Sequence, residues 1–105
     1  MSAVALLIVS RHPAAVDFIR SAAPEFANAS VVAQATAEEV RGKIVAGNLP
    51  LHLAALTLEV VAVEFAGSPP RGQEYTLADM RAAGARLTRY VVATAEDYLR
   101  ACREG

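Results

Sequence analysis

Ser10, Arg11 and His12 stand side by side in the stretch LLIVSRHPAAVDFI, residues 6–19. Arginine offers a planar, permanently charged fork that suits phosphate oxygens. Histidine exchanges a proton near neutral pH. A serine hydroxyl both donates and accepts hydrogen bonds. Three such groups in a row suit the binding and cleavage of a phosphate ester. Each also has a plainer reading. Ser10 fits a turn, Arg11 fits a surface ion pair, and His12 fits a helix cap. A second candidate set is Gly47-Asn48, where asparagine also suits the left-handed backbone of a turn. A third is the stretch GSPPRGQEY, residues 67–75, which carries Ser68, Arg71, Gln73, Glu74 and Tyr75. His52 falls in an apolar helical pattern and reads as a structural or interface residue. Glu64 alternates within a strand pattern, either supporting a neighbour or marking an edge. Arg86 and Arg89 are an odd number of residues apart, so on a strand they occupy opposite faces.

The hydrophobic pattern supplies the elements that position these side chains. Residues 3–9, AVALLIV, form a nearly continuous apolar run, as in a strand buried on both faces of a parallel sheet. Pro13 opens a helix, where its missing N–H costs nothing. Val16, Phe18, Ile19 and Ala22 or Ala23 form its buried face, and Pro24 ends it. Strands follow at 29–34, 43–48, 60–66 and 85–92. Between them come a helical turn at 36–42, a helix at 49–59 and a helix at 77–84. Thr36 with Glu39 and Thr76 with Asp79 have the spacing of capping boxes, and Gly42 and Gly84 are helix stops. A single helix over 77–103 is the competing reading; Gly84 and the pair Val91-Val92 argue against it. Thr94 with Asp97 caps a last helix at 95–104.

Strands and helices alternate from end to end. This predicts a compact α/β domain: a mainly parallel five-stranded sheet in a three-layer, Rossmann-like sandwich. The last strand is the one expected at an edge or antiparallel. Such sheets bind ligands at the carboxyl ends of their strands. Ser10, Arg11, His12, Gly47, Asn48 and the 67–75 loop all follow strands, so one end of the sheet gathers them. Two of these loops enter a helix through a proline, which aims helix N–H groups at the same region, a favourable setting for phosphate.

Composition narrows the classes. The chain has 105 residues, which suits one domain, and 54% of them are hydrophobic. Ten basic against eleven acidic residues give a net charge of −1, without the basic excess of a duplex binder, so no DNA partner is expected. Nine of the ten basic residues are arginine, as phosphate recognition favours and as a GC-rich genome would also produce. Cys102 is the only cysteine and forms no internal disulfide. The first apolar run is too short for a bilayer, so a soluble, cytoplasmic protein is expected. There is no P-loop, no G-x-G-x-x-G, no G-x-S-x-G and no metal-ligand spacing. We therefore expect no cofactor and no metal.

IVSRHPAAVDFI, GNLPLHLAAL and GQEYTLADMRAAGARLTRYVV, in that order, resemble the three blocks of a small CRISPR-associated family, Csx sixteen. That family shows a strand ending in Thr/Ser-Arg-His-Pro-Gly-Ala, a G-x-L-P-x-x-L-A-A segment and a late Gly-Ala-Arg-Leu segment. The resemblance spans about residues 6 to 92, and the ordered combination is more specific than any one block. Ala14 stands where glycine is common, residues 20–42 match only in outline, and the 93–105 tail lies beyond the match. The resemblance implies a type III CRISPR ring nuclease with a CARF-like fold. Such an enzyme cleaves cyclic oligoadenylate messengers, cyclic tetra-adenylate in particular, without metal, as a homodimer that binds the ring across its two-fold axis. It implies catalytic roles for Ser10, Arg11 and His12, and ligand binding by Gly47, Asn48, Arg71, Gln73, Glu74 and Tyr75. Tyr75 is the candidate for stacking on adenine.

Three other readings stand beside it. The same fold could hold the messenger without cutting it, as a sponge or sensor. The chain could be an unrelated small α/β protein, a phosphate-ester hydrolase or a receiver-like domain. A receiver needs paired acids after its first strand, where this chain has Ser-Arg-His. The last reading is a structural partner of a CRISPR effector complex, against which the near-neutral charge argues.

Overall fold

The computed structural model describes residues 4–68 and 75–104. Five strands form one sheet: β1 (Leu6–Val9), β2 (Ser30–Val32), β3 (Ile44–Ala46), β4 (Glu59–Phe65) and β5 (Ala85–Tyr90). The helices are α1 (Pro13–Ala22), α2 (Ala37–Val40), α3 (Leu51–Ala54), α4 (Leu77–Ala82) and α5 (Ala95–Glu104), with a 3₁₀ turn at Pro24–Phe26. The strand order is β2-β1-β3-β4-β5; only the β4–β5 pair is antiparallel. The expected α/β class and mainly parallel sheet are thus present. The last strand is both antiparallel and at an edge.

β1 is central, which explains its unbroken apolar sequence: Leu7 and Ile8 are buried on opposite faces. Ile8 packs with Ile19, Phe26, Ala46 and Val61 beneath α1. Leu7 packs with Val40 and Val45, with Leu49, Leu53 and Leu56 closing that side. Ala14, Ala15 and Phe18 of α1 join Met80 of α4 in a further cluster. α1 and α4 therefore cover one face, and α2 and α3 cover part of the other. Phe18, Ile19 and Ala23 are buried as their apolar spacing suggested, Val16 is half-buried, and Ala14 and Ala15 extend the buried stripe toward the start of α1.

The caps were legible in sequence. Thr36 accepts a hydrogen bond from the Glu39 amide while the Glu39 carboxylate accepts from the Thr36 amide; Thr76 and Asp79 do the same. Gly42 and Gly84 stop their helices at φ of 71° and 76°. The strands at 29–34, 43–48 and 85–92 are shorter than expected, because their flanking residues lead into turns. The largest correction concerns residues 49–59. The helix there is one turn long, not three. Leu58 N–H donates to the Lys43 carbonyl and Gly42 N–H to the Leu56 carbonyl, so the chain must leave the helix early to bring Glu59 beside Ile44. Sheet pairing overrides the helical propensity of a leucine-rich stretch.

Candidate functional site

The strand order reverses between β1 and β3. In open α/β sheets a crevice forms at such a switch point, beyond the carboxyl ends of the strands. A cleft of about 280 Å³ lies there, with Ser10, Arg11, His12, Gly47, Asn48 and Tyr75 in its wall. Its floor is apolar, with Val9, Ile19, Val63, Phe65 and Met80. Six of the nine residues expected from sequence are thus together. The other three, Arg71, Gln73 and Glu74, lie outside the described residues. Ser68 is exposed and is not part of the wall.

Each wall residue has a distinct local cause. Ser10 N–H extends the sheet by donating to the Val32 carbonyl at 3.0 Å. The Ser10 hydroxyl then accepts from His12 N–H at 3.1 Å and lies 3.4 Å from the His12 carbonyl. It is committed to the turn. His12 is the N-cap of α1, in extended conformation, and Pro13 fixes the first helical position. No side chain caps this helix, so its leading amides lack a side-chain acceptor, and Ala15 of its first turn lines the cleft. Arg11 is exposed, and its guanidinium donates to the Gln34 side-chain oxygen at 3.4 Å. Among the described residues no carboxylate pairs with it.

The His12 imidazole packs against the Tyr75 ring, with centroids 4.9 Å apart and planes at 35°. Tyr75 directly precedes the Thr76 cap of α4 and packs against the cluster of α1 and α4. Burial raises the pKa of its phenol above the ordinary value, so the ring is neutral at physiological pH. Gly47 passes so close to β1 that a Cβ would collide with the Val9 carbonyl, and its φ is 127°. This position is closed to any other residue. The Asn48 side chain bridges to β4: its amide donates to the Val63 carbonyl at 3.3 Å, and its oxygen accepts from Val63 N–H at 3.1 Å. Asn48 therefore fastens the β3–β4 edge of the cleft.

Two features escaped the sequence reading. Gln34 meets Arg11 because β1 and β2 run parallel in the register Val9↔Val32, which sets Arg11 level with Gln34. Only that register reveals the pairing. The second is the use of Glu64. Its carboxylate accepts from the Thr88 hydroxyl at 2.6 Å and from the Tyr90 hydroxyl, with Arg86 Nε at 3.7 Å. The Thr88 and Tyr90 hydrogen bonds, with Arg86 beside them, hold its pKa below the ordinary carboxylate value. The same contact raises the pKa of Tyr90. As the alternation required, Arg89 lies on the opposite face from Arg86. It bridges Glu59 at 2.5 Å and Glu25 of the 3₁₀ turn. His52 is exposed on α3, away from the cleft wall.

Among the described residues no group of three His, Cys, Asp or Glu side chains converges as a metal site. No described helix is long and apolar enough to cross a membrane.

The chain is thus a small α/β protein with a cleft at the switch point of a mostly parallel sheet. Residues 7–93 match the model of a family described as "Putative CRISPR-associated protein (Cas_VVA1548)". The chain belongs to this CRISPR-associated family. No curated protein and no solved structure matches it.

Proposed function

We propose that the protein is a ring nuclease that opens cyclic oligoadenylate, cyclic tetra-adenylate in particular, and so ends type III CRISPR signalling. The observation that carries this reading is the meeting of Arg11, His12 and the uncapped start of α1 at one cleft, in a chain of a CRISPR-associated family. The Csx sixteen resemblance and the mostly parallel α/β sheet support it further. The chemistry needs no metal. A ribose 2′-oxygen attacks the adjacent phosphorus while its proton passes to a base. The bond to the 5′-oxygen breaks, that oxygen takes up a proton, and a 2′,3′-cyclic phosphate remains. His12 serves one of the two proton transfers. Arg11 stabilises charge on the phosphorane oxygens. The α1 amides hold phosphate. Ser10 and Asn48, engaged with backbone, act as positioning residues.

One nucleotide, not a four-nucleotide ring, suits a cleft of about 280 Å³. A homodimer that joins two clefts across a two-fold axis answers this, and a two-fold symmetric ring matches it. The alternative is a sponge that binds the messenger without cleaving it. In its favour, a single imidazole faces the cleft among the described residues, and the Ser10 hydroxyl is already bonded. The deciding experiment incubates the protein with cyclic tri-, tetra- and hexa-adenylate in EDTA and separates the products. Linear products ending in cyclic phosphate are expected. Intact ring recovered from a tight complex establishes the sponge, and turnover that requires an added divalent ion refutes the metal-free chemistry.

A further inference from the structure

On the face opposite α1, the sheet is only half covered. α3 ends after one turn, and beside it runs a groove of about 400 Å³ lined by Leu51, Ala54, Val60, Ala62, Glu64 and Tyr90. Leu51 on its rim is 77% exposed. The chain also carries a helix that covers nothing. All ten residues of α5 are exposed, including Tyr98 at 63% and Leu99 at 52%. Yet α5 has a clear apolar stripe: Ala95, Tyr98, Leu99 and Cys102 follow the i, i+3, i+4, i+7 spacing of a buried helix face. Glu96, Asp97 and Arg100 occupy the other side, joined by ion pairs. A solvent-facing helix has no need of such a stripe.

We infer that α5 is an exchange arm that lies in the groove of a second copy of this chain. The two unpartnered surfaces fit each other in size. A ten-residue helix is about 15 Å long, and the strand from Val60 to Glu64 is about 13 Å. They also fit in charge. Arg86, 63% exposed, meets Glu64 of the groove lining only at 3.7 Å, while Glu104 in the last turn of α5 has no ion-pair partner among the described residues. A two-fold pairing satisfies both surfaces at once, because each chain supplies one helix and receives one. The arm lies beyond the family match, which covers residues 7–93. Asn48 and Val63 line both groove and cleft, so the partner's arm borders the site.

The inference does not depend on the reaction assigned to the cleft, and its test involves no messenger. Cys102 lies on the apolar stripe and is the natural probe. Chains carrying Leu51→Cys or Arg86→Cys, each with Cys102→Ala, are mixed with the unaltered chain and treated with a short thiol-specific cross-linker. Joined pairs are identified by mass spectrometry. A cross-link between the engineered cysteine of one copy and Cys102 of the other is expected. Ending the chain after Ala93, or making Tyr98→Glu, should give a folded monomer by light scattering whose melting temperature no longer rises with protein concentration, as that of the parent chain should. A truncated chain that remains a dimer overturns the inference. So does a full-length monomer at micromolar concentration, or the absence of any cross-link between an engineered groove cysteine and Cys102 of the unaltered copy.

Discussion

Arg11 and His12 adjoin because the turn from β1 to α1 presents both to one cleft, with Pro13 fixing its exit. Arg11→Ala should slow ring opening by about 10²-fold or more, as loss of a charge-stabilising donor does. His12→Ala should cost roughly 10²–10⁴-fold in single-turnover rate while ring binding is retained. His52→Ala, remote from the cleft wall, should leave the rate unchanged. Normal turnover in both cleft variants would reduce this turn to scaffolding. Tyr75 was expected to stack on adenine. In the ligand-free protein its ring lies against His12, a contact that can also order the imidazole. Tyr75→Phe should keep both activity and the ring-current shift of the His12 protons in NMR spectra. Tyr75→Ala should lose that shift and lower kcat more than it raises KM. If Tyr75→Ala changes KM alone, the ring contacts ligand rather than ordering the histidine.

At the scale of elements, two contacts hold the strand ends in place. Gly47 lets β3 pass against the Val9 carbonyl at a φ that side chains avoid. Gly47→Ala should destabilise the domain by about 2 kcal/mol or more, read from urea midpoints, because strain and collision add. A neutral substitution would mean that the two strands can separate at no cost. Glu64 ties β4 to β5 through Thr88 and Tyr90. Its pKa is depressed in the folded state, so its contribution is present above the ordinary carboxylate range and is lost as pH falls through the folded value. Glu64→Gln should therefore lower the melting temperature near neutral pH, with the difference from the parent chain shrinking in acid. A difference independent of pH would assign the effect to packing instead of charge.

At the scale of the whole molecule, the proposed two-fold unit is open to a direct count of ligand per chain. The cleft is small, the adjoining groove is open, and α5 is unpartnered. Calorimetric titration with cyclic tetra-adenylate in EDTA, using His12→Ala to prevent turnover, should give one ring per two chains. A ratio of one ring per chain would place the whole ligand on a single subunit and remove the need for a two-fold site.

Local physics made much of this legible in sequence. Buried β1 shows as an unbroken apolar run because both of its faces are covered, and the capping boxes show because they close within four residues. The gathering of Ser10, Arg11, His12, Gly47, Asn48 and Tyr75 followed from one rule, that a parallel sheet collects the loops after its strands at one end. What the sequence left open depends on partners distant along the chain. The length of α3 is decided by where β4 must pair with β3, not by its leucines. The pairing of Arg11 with Gln34 depends on the register of β2 against β1, and Glu64 finds its partners through the register of β5. Residue types state what Ser10 and Asn48 can donate or accept; the fold decides that both are bonded to backbone. The last helix was readable from its Thr94 cap, and only the tertiary structure showed that no described residue of its own chain buries its apolar stripe.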